Sequence, residues 1–289
     1  MMAAGGSARV DGIVFVTVLG AAAMHATWNA LVKAGGDRFA FMLVLTLAEC
    51  AMGLALALFF PMIEAAALPW LLLSGFLHVG YMLFLTEAYA HGDLAQVYPL
   101  ARGTAPLIVA LVGALVLRET LGATKLAAVA CIGVGVVALS LRGGDDLGRM
   151  RGKAVAFALG TACFTAAYTL VDAIGARASG SASAYTCAMF VLSGAGLVAV
   201  GFLKRGAAAL SVDARVWRLG ALAGALSFLA YWAAIWAFTK APVAMVAALR
   251  ETSVPMAMLI GVVFLGERGS MWRWAAASLI AAGVALMRL

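Results

Sequence analysis

Charge is scarce in this chain. Asp, Glu, Lys and Arg make up 11% of its 289 residues and hydrophobic residues 65%, whereas a soluble domain carries roughly 25% charged residues. So little charge cannot clothe a water-facing surface, which excludes a soluble globular domain and makes lipid the expected solvent. The charges present lean positive, 20 Lys and Arg against 13 Asp and Glu. They sit in short segments between apolar runs and form no continuous basic face. That argues against a nucleic-acid partner and for contact with anionic lipid headgroups. Histidine and cysteine are thin as well. His25, His78 and His91 share no metal-ligand spacing, and Cys50, Cys131, Cys163 and Cys187 all fall inside apolar segments, where they read as buried thiols. No HExxH, GxSxG, P-loop or CxxC motif occurs. No enzyme activity, metal or cofactor is therefore expected.

What the chain has is apolar length. A spanning helix needs about 20 apolar residues. Ten segments qualify: 12–33, 39–60, 69–90, 94–117, 122–141, 152–174, 183–203, 215–238, 242–265 and 271–288. The expected fold is an all-α integral membrane protein of ten transmembrane helices. The first run, Gly12 to Val32, is longer than the apolar region of a signal peptide and is expected to stay as the first span. The longest connections, 142–151 and 204–214, are polar and hold no domain.

The chain also repeats itself. Leu100–Glu119 aligns without a gap on Ala248–Glu267 at a shift of 148 residues, placing Arg102 on Arg250, Thr104 on Thr252, Glu119 on Glu267 and, further on, Gly135 on Gly283. The shift is about half the chain. With the boundary in 142–151, each half holds five helices. An odd number per half makes the second half enter the membrane from the opposite side. The halves are therefore expected to be inverted repeats with a site between them, the sequence mark of a secondary transporter. Odd-numbered connections carry twelve Lys and Arg, the termini and even-numbered connections six. The positive-inside rule then favours cytoplasmic odd connections and outside termini.

Polar groups deep in lipid each need a reason. Arg102 and Arg250 lie about two turns, roughly 12 Å, into helices four and nine. Either they face a cavity and hold a carboxylate through two hydrogen bonds, or they form structural pairs, with Arg250 satisfied by Glu251, Glu87 or helix-end carbonyls. Pro99, Pro106, Pro242 and Pro255 flank the two arginines and are candidate hinges or static kinks. His78, Tyr81 and Met82 share a face of helix three; Tyr98 and Arg102 follow on helix four; Trp28 and Asn29 lie on helix one, Tyr168 on helix six, Trp232 and Trp236 on helix eight. Trp70, Trp217, Trp272 and Trp274 lie at helix ends, as interfacial anchors do. Glu49 and Glu87 are carboxyls inside apolar segments and candidate proton carriers. Glu119 and Glu267 read as helix-end ion pairs or caps. Asp172 reads as a helix-end acid reaching the interface.

The segment HATWNALVK (His25–Lys33) and the paired motifs LVLRE (Leu115–Glu119) and VFLGE (Val263–Glu267) resemble the drug/metabolite transporter superfamily, EamA type. The resemblance spans Gly12 to Arg288. It implies two EamA-like five-helix repeats, 12–141 and 152–288, in a bacterial inner-membrane carrier that exports small metabolites, with amino-acid exporters as the nearest subgroup. It also implies a cavity lined by helices one, three, four, six, eight and nine, with Trp28, His78, Tyr81, Tyr98, Tyr168 and Trp236 as lining residues. Small four-helix relatives use a helix-one Glu for proton antiport, and helix one here holds no acid. Uniport or exchange is then implied, unless Glu49 or Glu87 substitutes. The expected partners are a small-molecule substrate and membrane lipids, no nucleic acid, and a monomer suffices. A carrier for other metabolites or lipophilic drugs is the alternative. An integral-membrane enzyme or a scaffold is the reading from another class.

Overall fold

The computed structural model describes residues 11–34, 37–91, 94–118, 121–139, 152–206, 210–264 and 270–288. The side chain of Tyr98, residues Glu119 and Glu267, and the 142–151 boundary lie outside the described residues. Among the described residues every regular element is helical: α1 (Gly12–Ala34), α2 (Arg38–Ala57), α3 (Leu68–His91), α4 (Leu94–Val116), α5 (Ala123–Leu139), α6 (Gly152–Ala178), α7 (Ala182–Arg205), α8 (Ala214–Phe238), α9 (Val243–Arg250), α10 (Ser253–Phe264) and α11 (Met271–Leu286).

Local chemistry sets the boundaries. The side chains of Asp37, Ser181, Asp213 and Ser270 accept backbone N–H bonds at the starts of α2, α7, α8 and α11, satisfying donors that a helix start leaves unpaired. Gly206, at φ 60°, ends α7. Among the described residues, eight segments are long and apolar enough to cross a membrane, the last of them running from Val243 to Ile260 through α9 and α10. Phe76, Leu111, Leu115 and Val16 face outward. That is ruinous in water and ordinary in lipid. The chain is an all-helical, multi-pass membrane protein.

Helix nine departs from the expected single helix over 242–265. It breaks after Arg250, and α10 restarts at Ser253. Pro242 is the N-cap of α9 and Pro255 the third residue of α10. Both sit where a missing N–H costs nothing, so neither kinks a helix interior. Pro99 and Pro106 do lie inside α4.

α5 and α11 are short, 17 and 16 residues, roughly 25 Å at 1.5 Å per residue. They pack against each other and run antiparallel. Lys125 Nζ, at the start of α5, donates to the Met287 carbonyl at 3.0 Å, just past the end of α11. Trp272 Nε1, at the start of α11, donates to the Ala138 carbonyl at 2.7 Å. Their contact is also symmetric. A Cβ at Gly135 would lie 2.7 Å from Ile280 and 3.1 Å from the Ala276 oxygen; one at Gly283 would lie 2.7 Å from Ile132 and 2.9 Å from the Ala128 oxygen. All three residue pairs are related by the shift of 148. α2 and α7 repeat the device at a shift of 141. A Cβ at Gly53 would meet the Cys187 oxygen at 2.8 Å and Val191 at 3.2 Å, and one at Gly194 would meet Cys50 at 3.0 Å and the Thr46 oxygen at 3.5 Å. Two further contacts pair off in the same way: α3 on α6 matches α8 on α1, and α2 on α8 matches α7 on α3.

These glycines exist for close approach of backbones, the main source of helix association in lipid. Gly283→Ala should destabilise the protein by about 1–3 kcal/mol through overpacking. Gly20→Ala, where a Cβ meets nothing within 4 Å, should leave stability level or raise it by up to ~1 kcal/mol. Thermal unfolding in detergent checks the pair: Tm falls for the first variant and does not fall for the second.

Candidate functional site

Side chains from α1, α2, α3, α4, α6, α7, α8 and α9 enclose a cavity of about 150 Å³. It continues into a vestibule of about 450 Å³, sharing Met42, Met82, Leu85 and Leu197 with it and bounded by Asp37 and Phe39 at the start of α2, Ala90 near the end of α3, and Lys204 and Arg205 at the end of α7. These helix ends lie on one face of the bundle, that of the odd-numbered connections. Arg205 donates to Asp37 at 2.5 Å and its guanidinium sits 4.5 Å from the Phe39 ring centre. Burial raises the Asp37 carboxyl, but the Arg205 bond and charge, with the amides of Ala40 and Phe39, outweigh it and hold the group below its usual range.

The opposite face is closed. Arg177 Nε donates to the Phe238 carbonyl at 2.9 Å, tying the end of α6 to the end of α8. The Glu64 N–H donates to the Ser179 carbonyl at 3.2 Å. Trp232 Nε1 donates to Ser183 Oγ at 2.9 Å, and its ring meets Phe60 edge-on at 5.7 Å.

Two charged groups in the cavity region cancel. Arg102 on α4 and Glu251 at the break after α9 are both buried; Nε donates to Glu251 Oε2 at 3.0 Å, and Nη2 lies 2.8 Å from Oε1. The break in helix nine is what brings this carboxylate round to α4. Pro106 follows Arg102 by four residues, and Pro255 follows Glu251 by four. Arg250 points into the cavity instead, its guanidinium carbon 4.8 Å from the Tyr231 ring centre. Among the described residues no carboxylate lies within ion-pair distance of it. Glu251, suggested by the sequence as a structural partner for Arg250, is the partner of Arg102. Glu49 on α2 is buried, lines the cavity and takes a hydrogen bond from Ser227; among the described residues no cation pairs with it.

Trp28, Asn29, His78, Tyr81, Met82, Arg102, Tyr168 and Arg250 all line the cavity. α2 and α7, absent from the lining implied by the resemblance, contribute Glu49, Thr46 and Ser193. His78 stacks on Tyr168 at 4.2 Å, and Tyr81 meets Tyr168 edge-on at 5.6 Å. Trp232 and Trp236 do not line it. Trp232 belongs to the closed face, and Trp236, on the last turn of α8, is half-buried against the core. Glu87 is also outside the cavity lining: it is 49% exposed and lies 3.8 Å from His91. Asp172 is the larger correction. α6 runs on to Ala178, which leaves Asp172 six residues inside the helix and fully buried. It accepts from Tyr185 at 3.1 Å and Tyr231 at 2.5 Å. An acid followed by further apolar residues was the signal in the sequence.

The described residues form an all-helical membrane fold around a polar, aromatic-walled cavity. Residues 152–289 match the EamA-like transporter family. The chain carries an EamA-like transporter domain over just under half its length. A solved structure titled "Crystal structure of protein" has the same fold, with TM-score 0.76 and 19% identity over 96% of this chain and 98% of its own. No curated protein matches the chain.

Removing one partner of a buried ion pair strands the other, at a cost of about 3–5 kcal/mol. Glu251→Leu alone should lower Tm sharply. The double variant Arg102→Met with Glu251→Leu should recover most of the loss, and a double-mutant cycle of thermal unfolding measures the coupling.

Proposed function

We propose that this transporter exports amino acids and similar small zwitterions by alternating access, as a multi-pass protein of a bacterial inner membrane. The observation that carries the reading is an arginine and a carboxyl that share one lipid-buried cavity. Arg250 and Glu49 face the same space with no counter-ion of their own among the described residues. A buried charge needs a partner, and a zwitterion brings both: a carboxylate for the guanidinium and an ammonium for the carboxylate. The aromatic wall of Trp28, Tyr81 and Tyr168 suits varied side chains.

The symmetric antiparallel contacts of α5 with α11 and α2 with α7 support reading 12–141 and 152–288 as inverted EamA-like halves. An open vestibule and a sealed opposite face support alternating access. With odd-numbered connections cytoplasmic, the vestibule opens inward and the Arg177 face is the outer gate. Arg250 is the carboxylate anchor of the two arginines, because Arg102 is already spent on Glu251.

Purified protein in liposomes is expected to move labelled amino acids. Arg250→Ala and Glu49→Gln should each slow that transport about 10- to 100-fold, the worth of one charge-assisted hydrogen bond. Wild-type rates in both single variants and their double variant would remove the anchor. Movement of lipophilic cations or other metabolites instead of amino acids would favour the alternative carrier.

A further inference from the structure

The chemistry of the cavity wall opposite Arg250 is not absorbed by substrate binding. His78 lines the cavity, 17% exposed, and Asp172 behind it is fully buried. His78 Nδ1 lies 3.0 Å from the Ser74 carbonyl oxygen and 3.3 Å from Ser74 Oγ. A carbonyl oxygen only accepts, so Nδ1 carries the hydrogen of the neutral ring. Nε2 is then a bare lone pair, and it faces Asp172 Oδ2 at 3.9 Å. Two acceptors confronting each other in a dry site repel, and a single proton on either turns the contact into an attraction.

Oδ2 is also the oxygen that accepts from the Tyr231 hydroxyl, and the Tyr231 ring lies against the Arg250 guanidinium. Proton, tyrosine and substrate anchor therefore meet through one atom. Among the described residues, Tyr185 on α7 bonds Oδ1, Arg102 on α4 is paired with Glu251, Arg177 on α6 bonds the Phe238 carbonyl, and Glu87 and His91 on α3 lie against each other. Tyr168 stacks on the His78 ring, and Tyr81 on α3 meets Tyr168 edge-on.

We propose that His78 and Asp172 form a one-proton site that couples proton movement to the transport cycle through Tyr231 and Arg250. The coupling, though not the proton site itself, rests on the reading of the cavity as the transport site. A hydronium ion in the cavity gives its proton to His78 Nε2 or Asp172 Oδ2 and leaves water; release returns the proton to water. Protonation of Oδ2 competes with the Tyr231 hydrogen bond, frees the ring under Arg250 and changes how Arg250 is held for the next substrate.

The test has two readouts. Infrared difference spectra of the purified protein in lipid, taken between acidic and alkaline buffer, should contain a carboxylic-acid band coupled to an imidazole band. Asp172→Asn should remove the first and alter the second. Transport in liposomes, measured as the ratio of rates with and without a pH gradient, should exceed one for the wild type and fall to about one for Asp172→Asn and His78→Gln. Spectra of Asp172→Asn that superimpose on the wild type, or a wild-type ratio of one, overturn the proposal. If Asp172→Asn does not fold, the cavity-facing His78→Gln decides by the same readouts. If the bands behave as expected and amino acids do not move, the proton site stands and the substrate reading falls.

Discussion

Lipid offers a buried charge nothing to bind. Every ionised group inside the spans must find a protein partner or reach a chamber where a solute or water supplies one. In this chain most are matched internally. Arg102 holds Glu251, Asp172 takes two tyrosine hydroxyls, and Lys125 caps the carbonyl end of α11. What remains, Arg250 and Glu49, faces a common cavity.

The scaffold around that site is built without a hydrophobic drive between helices, since lipid tails are as apolar as leucine. Close backbone contact through glycine replaces it. The use of matching glycines at Gly135 and Gly283, and at Gly53 and Gly194, makes each interface its own mirror under exchange of the halves.

Much of this was legible in the sequence because it is local. Ten apolar segments follow from hydropathy alone. The repeat marked Arg102 and Arg250, and helical spacing gathered His78, Tyr81 and Met82 on one face. What was not legible is long-range or one residue fine. Glu251 finds Arg102 across 149 residues, and the alignment that paired Arg102 with Arg250 hid the break that turns Glu251 the other way. Hydropathy ends this helix at 174 and so places Asp172 at a helix end, whereas α6 continues to Ala178. Trp232 and Trp236 share a helix with Tyr231 but differ in azimuth, and only the third dimension sends Tyr231 to the cavity and Trp232 to the sealed face. Glu87 looked buried because its neighbours are apolar, yet it stands near the mouth of the bundle with His91.

The central claim is that the cavity holds a solute between one positive and one negative pole. A competition binding series on the purified protein tests it most directly, comparing an amino acid with its N-acetyl derivative and with its carboxamide. The account predicts that loss of either charge weakens binding by about tenfold or more. Equal binding of all three compounds would contradict it.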